Sequence, residues 1–133
     1  MELYRSNYMV LNFFAEQELF VELWFSTSEK MSDEMFKREM LTVLKMMKIH
    51  KPTKYLVNTK DFLFAIHIDL QKWLFQNYLI HFEELGILKA AFVMSKEFIV
   101  QLAIEQSVDE DVKELFQRNY FATYNEALEW LNS

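Results

Sequence analysis

The stretch Lys-Tyr-Leu-Val-Asn, residues Lys54 to Asn58, follows Pro52, the only proline of the chain, and precedes an irregular loop. It is apolar in the middle and polar at both ends, and a helical pattern lies on each side of it. A short buried run between helices is typical of a central strand in an α/β layer. We therefore predict an α/β fold organised around this strand.

The segment before this stretch favours two antiparallel strands. Residues 8–14 and 18–26 are rich in aromatic and β-branched residues, and the polar turn 15–17 between them has the length of a hairpin loop. Alternation along the second strand places Leu19 and Val21 on one face, and Phe20, Glu22 and Trp24 on the other. We expect Phe20 and Trp24 to point away from the core face of the sheet.

Two helices are predicted around the central strand. The first begins at the cap Ser32 and ends before Pro52. The second is predicted to begin at the cap Asp69 and to run over residues 70–85, where Gly86 ends it in a left-handed conformation. The apolar stripe of the first helix consists of Phe36, Met40, Val43, Leu44 and Met47.

The remaining elements alternate in the same way. Residues 88–94 form the next predicted strand, Ser95 caps a helix to about residue 106, and Ser107 with Glu110 opens a short acidic helix. A last strand, 120–122, leads through the capping pair Thr123 and Glu126 into a final helix, 125–131. Right-handed crossovers make the later strands parallel. We predict one domain, residues 1–133, with a mixed β-sheet, an N-terminal antiparallel hairpin and helices packed on the sheet.

The composition excludes several classes of site. With a single glycine, Gly86, the chain has neither a GxGxxG nor a Walker loop, and without cysteine it has no disulfide and no thiolate ligand. The net charge of −6 argues against a nucleic-acid surface. We find no signal peptide and no apolar run approaching the roughly 18 residues of a membrane span, so we expect a cytoplasmic protein without membrane insertion.

Four segments carry a family resemblance: Lys54-Tyr-Leu-Val-Asn-Thr-Lys-Asp-Phe, Asp69-Leu-Gln-Lys-Trp, Leu88-Lys-Ala-Ala-Phe-Val-Met-Ser and Phe121-Ala-Thr-Tyr-Asn-Glu-Ala-Leu-Glu-Trp-Leu. Their order, and the closing F-x-T-x-x-E-A-x-x-W-L, resemble the STAS superfamily, most closely its SpoIIAA-like group of small stand-alone bacterial proteins. The resemblance covers residues 8–132. It implies a mixed sheet with helices packed on it, and a relation in fold to lipid-binding CRAL-TRIO domains.

The resemblance also implies where a regulatory site would lie. In anti-sigma-factor antagonists of this superfamily, a partner kinase phosphorylates a serine or threonine in a D-x-S-G type motif after the central strand. This chain lacks that motif and has Asn58-Thr-Lys-Asp at the same place. Between Asn58 and His67, Thr59 is the only residue with a hydroxyl group, so Thr59 is the candidate for such a switch.

Polar residues that follow the strands form the candidate site. In open α/β sheets a crevice lies beyond the carboxyl ends of the strands, and we expect a ligand there first. His67 and Asp69 suggest metal ligands, but their spacing matches no metal motif, and we expect neither a metal nor a cofactor. The ligand-binding or regulatory candidates are Asn58, Thr59, Asp61, His67 and Ser95.

Surplus apolar surface gives a second group of candidates. Phe20 and Trp24 on the hairpin, and Trp73 and Ile80 on the second helix, exceed what one helix–sheet contact needs, and such patches mark interfaces. Either another helix of the same chain covers Phe20 and Trp24, or a second copy covers them in a symmetric homodimer. We expect a homodimer or another protein partner.

No stretch carries a catalytic signature, so we predict a non-enzymatic regulatory or protein-interaction module of STAS type. The alternative is a carrier or sensor of a small apolar ligand, such as a lipid, by analogy with the related lipid-binding fold. That alternative requires an internal cavity lined by residues such as Phe62, Phe64, Trp73 and Phe92.

Overall fold

The computed structural model describes residues 1–94 and 116–133. Within these ranges six strands form one sheet, in which the spatial order follows the order along the chain. The first three strands are antiparallel, and the third to the sixth are parallel. The predicted mixed sheet with an N-terminal antiparallel hairpin is therefore confirmed. The strands are β1 (Glu2–Arg5), β2 (Met9–Phe14), β3 (Leu19–Trp24), β4 (Lys54–Asn58), β5 (Lys89–Val93) and β6 (Gln117–Phe121).

Helices connect β3 to β4 and β4 to β5, and another helix follows β6. The described α-helices are α1 (Asp33–His50), α2 (Ile68–Asn77), α3 (Phe82–Leu85) and α4 (Tyr124–Leu131), with short 3-10 turns at Ala15–Gln17, Ser26–Lys30 and Leu79–His81. Ser95, the predicted helix 95–106 and the predicted short helix at Ser107 and Glu110 lie outside the described residues.

The middle of the sheet is buried on both faces, and successive side chains of a strand point to opposite sides. On the first face, Tyr55 and Val57 of β4 belong to a large core with the apolar stripe of α1. On the second face, Leu56 joins a smaller core with Ala127 and Leu131 of α4. The central strand is buried on both sides, as the stretch 54–58 predicts.

The hairpin faces the opposite way from the prediction. Phe20 and Trp24 are 0% and 2% exposed and belong to the large core on the first face. The hairpin pattern is apolar on both faces, so alternation alone could not assign the larger core. Right-handed crossovers place successive helices on one side of the sheet, and these helices cover the aromatic face. Helices of the same chain therefore cover Phe20 and Trp24, which present no surface to a partner.

The second predicted helix differs from the prediction at both its start and its end. His67, not Asp69, is the N-cap of α2: its Nδ1 accepts a hydrogen bond from the backbone N–H of Leu70 at 3.3 Å. The helix ends at Tyr78, where φ is −130° and ψ is −67°. A 3-10 turn and α3 then lead to Gly86, whose φ of 90° confirms the predicted left-handed C-cap.

Candidate functional site

An internal cavity of about 60 Å³ lies between the first face of the sheet and the helices that cover it. A cavity needs roughly 10–15 Å³ to hold one water molecule, so this one can hold about four to six waters or one small organic molecule. Each lining residue is at most 7% exposed. The described lining residues are Glu22, Trp24, Phe36, Met40, Tyr55, Val57, Thr59, Phe62, Ile66, Leu74, Tyr78, Leu79, Phe82 and Phe92.

Most of the cavity wall is apolar, and half of the described lining residues carry aromatic rings. Trp24 meets Phe62 edge-on, with ring centroids 5.0 Å apart, and Tyr78 meets Phe82 in the same way at 5.0 Å. Such packed rings form a wall of fixed shape, because neighbouring aromatic groups hold one another in place. The cavity is suited to a small apolar molecule.

Among the lining residues that the structure describes, one carboxyl group interrupts the apolar wall. Glu22 lies in the middle of β3 and is 1% exposed. Its Oε2 accepts a hydrogen bond from Trp24 Nε1 at 2.6 Å, and its Oε1 accepts one from the hydroxyl of Tyr55. The Tyr55 and Tyr78 hydroxyl oxygens lie 2.7 Å apart. These four residues, called here the Glu22 network, join β3, β4 and the end of α2.

The protonation of this network is set by burial. Loss of hydration raises the pKa of Glu22 to about 7, although the hydrogen bonds from Tyr55 and Trp24 act in the opposite direction. Burial, followed by the charge of Glu22, raises the pKa of Tyr55 and of Tyr78 well above that of an ordinary tyrosine. Near neutral pH the tyrosines therefore remain protonated, and Glu22 is the group of the network that gains or loses a proton.

A second buried carboxylate lies apart from the cavity. Glu39 of α1 is 4% exposed, and its two oxygens accept hydrogen bonds from Tyr4 at 2.9 Å and from Ser6 at 3.0 Å. These bonds attach the N-terminal strand to α1. Burial raises the pKa of Glu39, and its charge contributes to the raised pKa of Glu22.

Thr59 is the one described residue of the predicted strand-end site that lines the cavity. It is 2% exposed, and its hydroxyl donates a hydrogen bond to the backbone oxygen of Val93, which also accepts the Thr59 N–H at 3.1 Å. A kinase could reach this hydroxyl only after the loop had separated from β5. The structure therefore gives Thr59 a role in joining β4 to β5.

The other predicted site residues have separate surroundings. Asn58 Oδ1 accepts the backbone N–H of Lys60 at 3.2 Å, which fixes the turn in which Asp61 also lies. His67 Nε2 lies 2.6 Å from Asp33 Oδ2, so His67 connects the first turn of α1 to that of α2. These contacts do not make the single crevice that the sequence predicts.

The residues predicted to line a cavity divide into two groups. Phe62 and Phe92 do line it. Phe64 stacks on Phe36, with centroids 5.1 Å apart, and Trp73 lies in an outer groove beneath the Lys37 ammonium at 5.6 Å. Ile80, predicted as an interface residue, is 47% exposed, and the break at Tyr78 separates it from the helix that carries Trp73.

Glu22, Tyr55 and Tyr78 are functional candidates that sequence reasoning missed. A signal for Glu22 was present, because a carboxylate between Phe20 and Trp24 on an apolar strand must be buried together with them. Nothing in the sequence indicates that Tyr55 and Tyr78 are its partners, since they lie far away along the chain.

Within residues 1–94 and 116–133, no three His, Asp or Glu side chains are grouped so that they could hold a metal ion. None of the helices in these ranges is both long enough and apolar enough to span a bilayer. Comparisons with protein-family models, with curated proteins and with solved structures found no match to this chain.

Proposed function

We propose that this protein binds a small, largely apolar molecule in the internal cavity, as a carrier or sensor and not as an enzyme. The observation that supports this most strongly is the cavity itself, an aromatic pocket with one titratable carboxyl group in its wall. Pockets that bind small molecules commonly combine apolar walls with a few fixed polar groups. The Glu22 network is the polar anchor of the ligand.

The direct test is binding of probes that need no polar contact. Xenon under pressure and 2-methylbut-1-ene should shift the NMR signals of methyl groups that line the cavity, such as those of Met40, Ile66 and Leu79. Methyl groups elsewhere, such as that of exposed Ile49, should not move.

A filling variant gives the matched control. Leu74→Phe places a larger side chain in the cavity wall and should abolish probe binding, whereas Leu41→Phe makes the same change at a site that is 47% exposed. A folded L74F protein that still binds both probes, or a wild-type protein that binds neither, would show that the cavity is not a ligand site.

A regulatory module of STAS type, in the cytoplasm and acting as a homodimer or with another protein, is the second candidate. The mixed sheet agrees with the fold that the resemblance implies, and Ile68 and Ile80 are 68% and 47% exposed. Native mass spectrometry tests this candidate: a dimer that Ile80→Glu converts to a monomer would support it. A monomer at every concentration would exclude the homodimer.

A further inference from the structure

The Glu22 network can use a fixed number of protons. Three hydrogen bonds connect its four groups. One joins Trp24 and Glu22, one joins Tyr55 and Glu22, and one joins Tyr55 and Tyr78. When Glu22 is ionised, the indole N–H and the two phenol O–H groups supply one proton to each bond. Every proton is then used, and the network presents only lone pairs to the cavity.

Protonation of Glu22 adds a fourth proton to three hydrogen bonds. If the carboxyl group donates to Tyr55, Tyr55 donates in turn to Tyr78, and the hydroxyl proton of Tyr78 is left over. Tyr78 lines the cavity, and within the described residues its hydroxyl bonds to Tyr55 alone. A buried donor without a partner is unfavourable, so the protonated network favours an acceptor in the cavity.

On the premise of the proposed function, we propose that the ligand carries a hydrogen-bond-accepting oxygen, as in a small ketone, aldehyde or ester, and that it binds together with one proton. The carbonyl oxygen accepts the surplus O–H, and the apolar remainder of the ligand occupies the aromatic part of the cavity. A hydrocarbon of the same shape lacks the acceptor and gains nothing from the proton.

The groups that face Glu22 determine the pH range. Tyr55 on β4 and Tyr78 at the end of α2 stay protonated, because their pKa values lie well above the ordinary one. Glu39 on α1 acts through its charge and favours the protonated form of Glu22. Since the pKa of Glu22 is about 7, ligand affinity should fall as the pH rises above neutrality.

The test compares butan-2-one with 2-methylbut-1-ene, in which a methylene group replaces the carbonyl oxygen. The Kd of each probe is measured at pH 5.5 and at pH 8.5 from the methyl shifts of Met40 and Ile66. We expect the ketone to bind more tightly than the hydrocarbon at pH 5.5. It should lose about thirtyfold in affinity at pH 8.5, because the competent protonated form becomes scarce. The affinity of the hydrocarbon should change little.

Two variants distinguish the effect of Glu22 on ketone binding from that of Glu39. Glu22→Gln carries its N–H donors at every pH, so ketone binding should lose its pH dependence. Glu39→Gln should keep the pH dependence but move its midpoint to lower pH, because Glu39 is outside the cavity and its charge raises the pKa of Glu22. Equal affinities for ketone and hydrocarbon, or a ketone affinity that is independent of pH, would overturn this inference. Hydrocarbon binding would still support the proposed function in either case. Failure of xenon and of both probes would overturn the two together.

Discussion

At the scale of single residues, Glu22 is the least expected feature of the core. A carboxyl group that is 1% exposed is tolerated because Trp24 and Tyr55 donate hydrogen bonds to it. Its surroundings nevertheless favour the neutral acid, so burial of Glu22 couples folding to pH.

The first prediction concerns this coupling. Between pH 4.5, the ordinary pKa of the side chain, and about 7, folded Glu22 keeps a proton that the unfolded chain releases. Its contribution to stability is therefore complete below pH 4.5, falls as the pH rises through this range, and is lost above it. The shift corresponds to a loss of about 3 kcal/mol. Urea unfolding at pH 4.5, 6 and 8 measures this loss of unfolding free energy.

Glu22→Gln is the control for this prediction, because the amide does not titrate. The difference in unfolding free energy between the wild type and E22Q should change by about 3 kcal/mol between pH 4.5 and pH 8. Glu22→Gln leaves the Tyr4 and Ser6 partners of Glu39 unchanged, so most of the contribution of Glu39 cancels in this difference. A constant difference would mean that Glu22 has an ordinary pKa in the folded state.

The second prediction concerns Thr59, whose buried hydroxyl bonds to Val93. Thr59→Val keeps the shape and removes one buried hydrogen bond, so the free energy of unfolding should fall by about 1 kcal/mol. Thr42→Val is the matched control, because the Thr42 hydroxyl donates to the Arg38 backbone oxygen on the exposed side of α1. Equal effects of T59V and T42V in urea unfolding would contradict the buried role of Thr59.

At the scale of elements, α1 was predictable and the α2–α3 region was only partly so. Ser32 caps α1 by accepting the Met35 N–H at 3.2 Å, and the predicted stripe is buried, because a cap and a 3.6-residue period are local signals. The capping residue of α2, His67, also contacts Asp33, which is distant along the chain. The break at Tyr78 occurs where that side chain bonds to Tyr55, which is again a long-range contact.

The third prediction tests the N-cap of α2. His67→Ala removes the acceptor for the Leu70 N–H and should lower the free energy of unfolding by about 1 kcal/mol. His67→Asn supplies a preferred N-cap oxygen without the ring that contacts Asp33, so it should recover most of this loss. If H67N were as unstable as H67A, the contact with Asp33 and not the cap would be the stabilising interaction.

At the scale of the whole molecule, the sequence predicted the sheet better than the site. The mixed sheet follows from element order and crossover handedness, which are properties of the chain as a whole. The cavity wall combines Glu22, Tyr55 and Tyr78 from three elements, and only their packing brings these residues together. The orientation of the hairpin was missed for a related reason: the faces with Val21 and with Phe20 are both apolar, and both are covered.

The last prediction concerns the coupling of the two faces. Because β4 contributes Tyr55 to one core and Leu56 to the other, the cores should unfold together. Leu131→Ala on α4, at a site 1% exposed, should lower the free energy of unfolding by about 3 kcal/mol. Native-state hydrogen exchange should show the same loss for the most protected amides of α1, on the opposite face. Leu128→Ala, at a partly buried site, should show a smaller loss. Unchanged protection in α1 would mean that α4 detaches while the large core, with the cavity, stays folded.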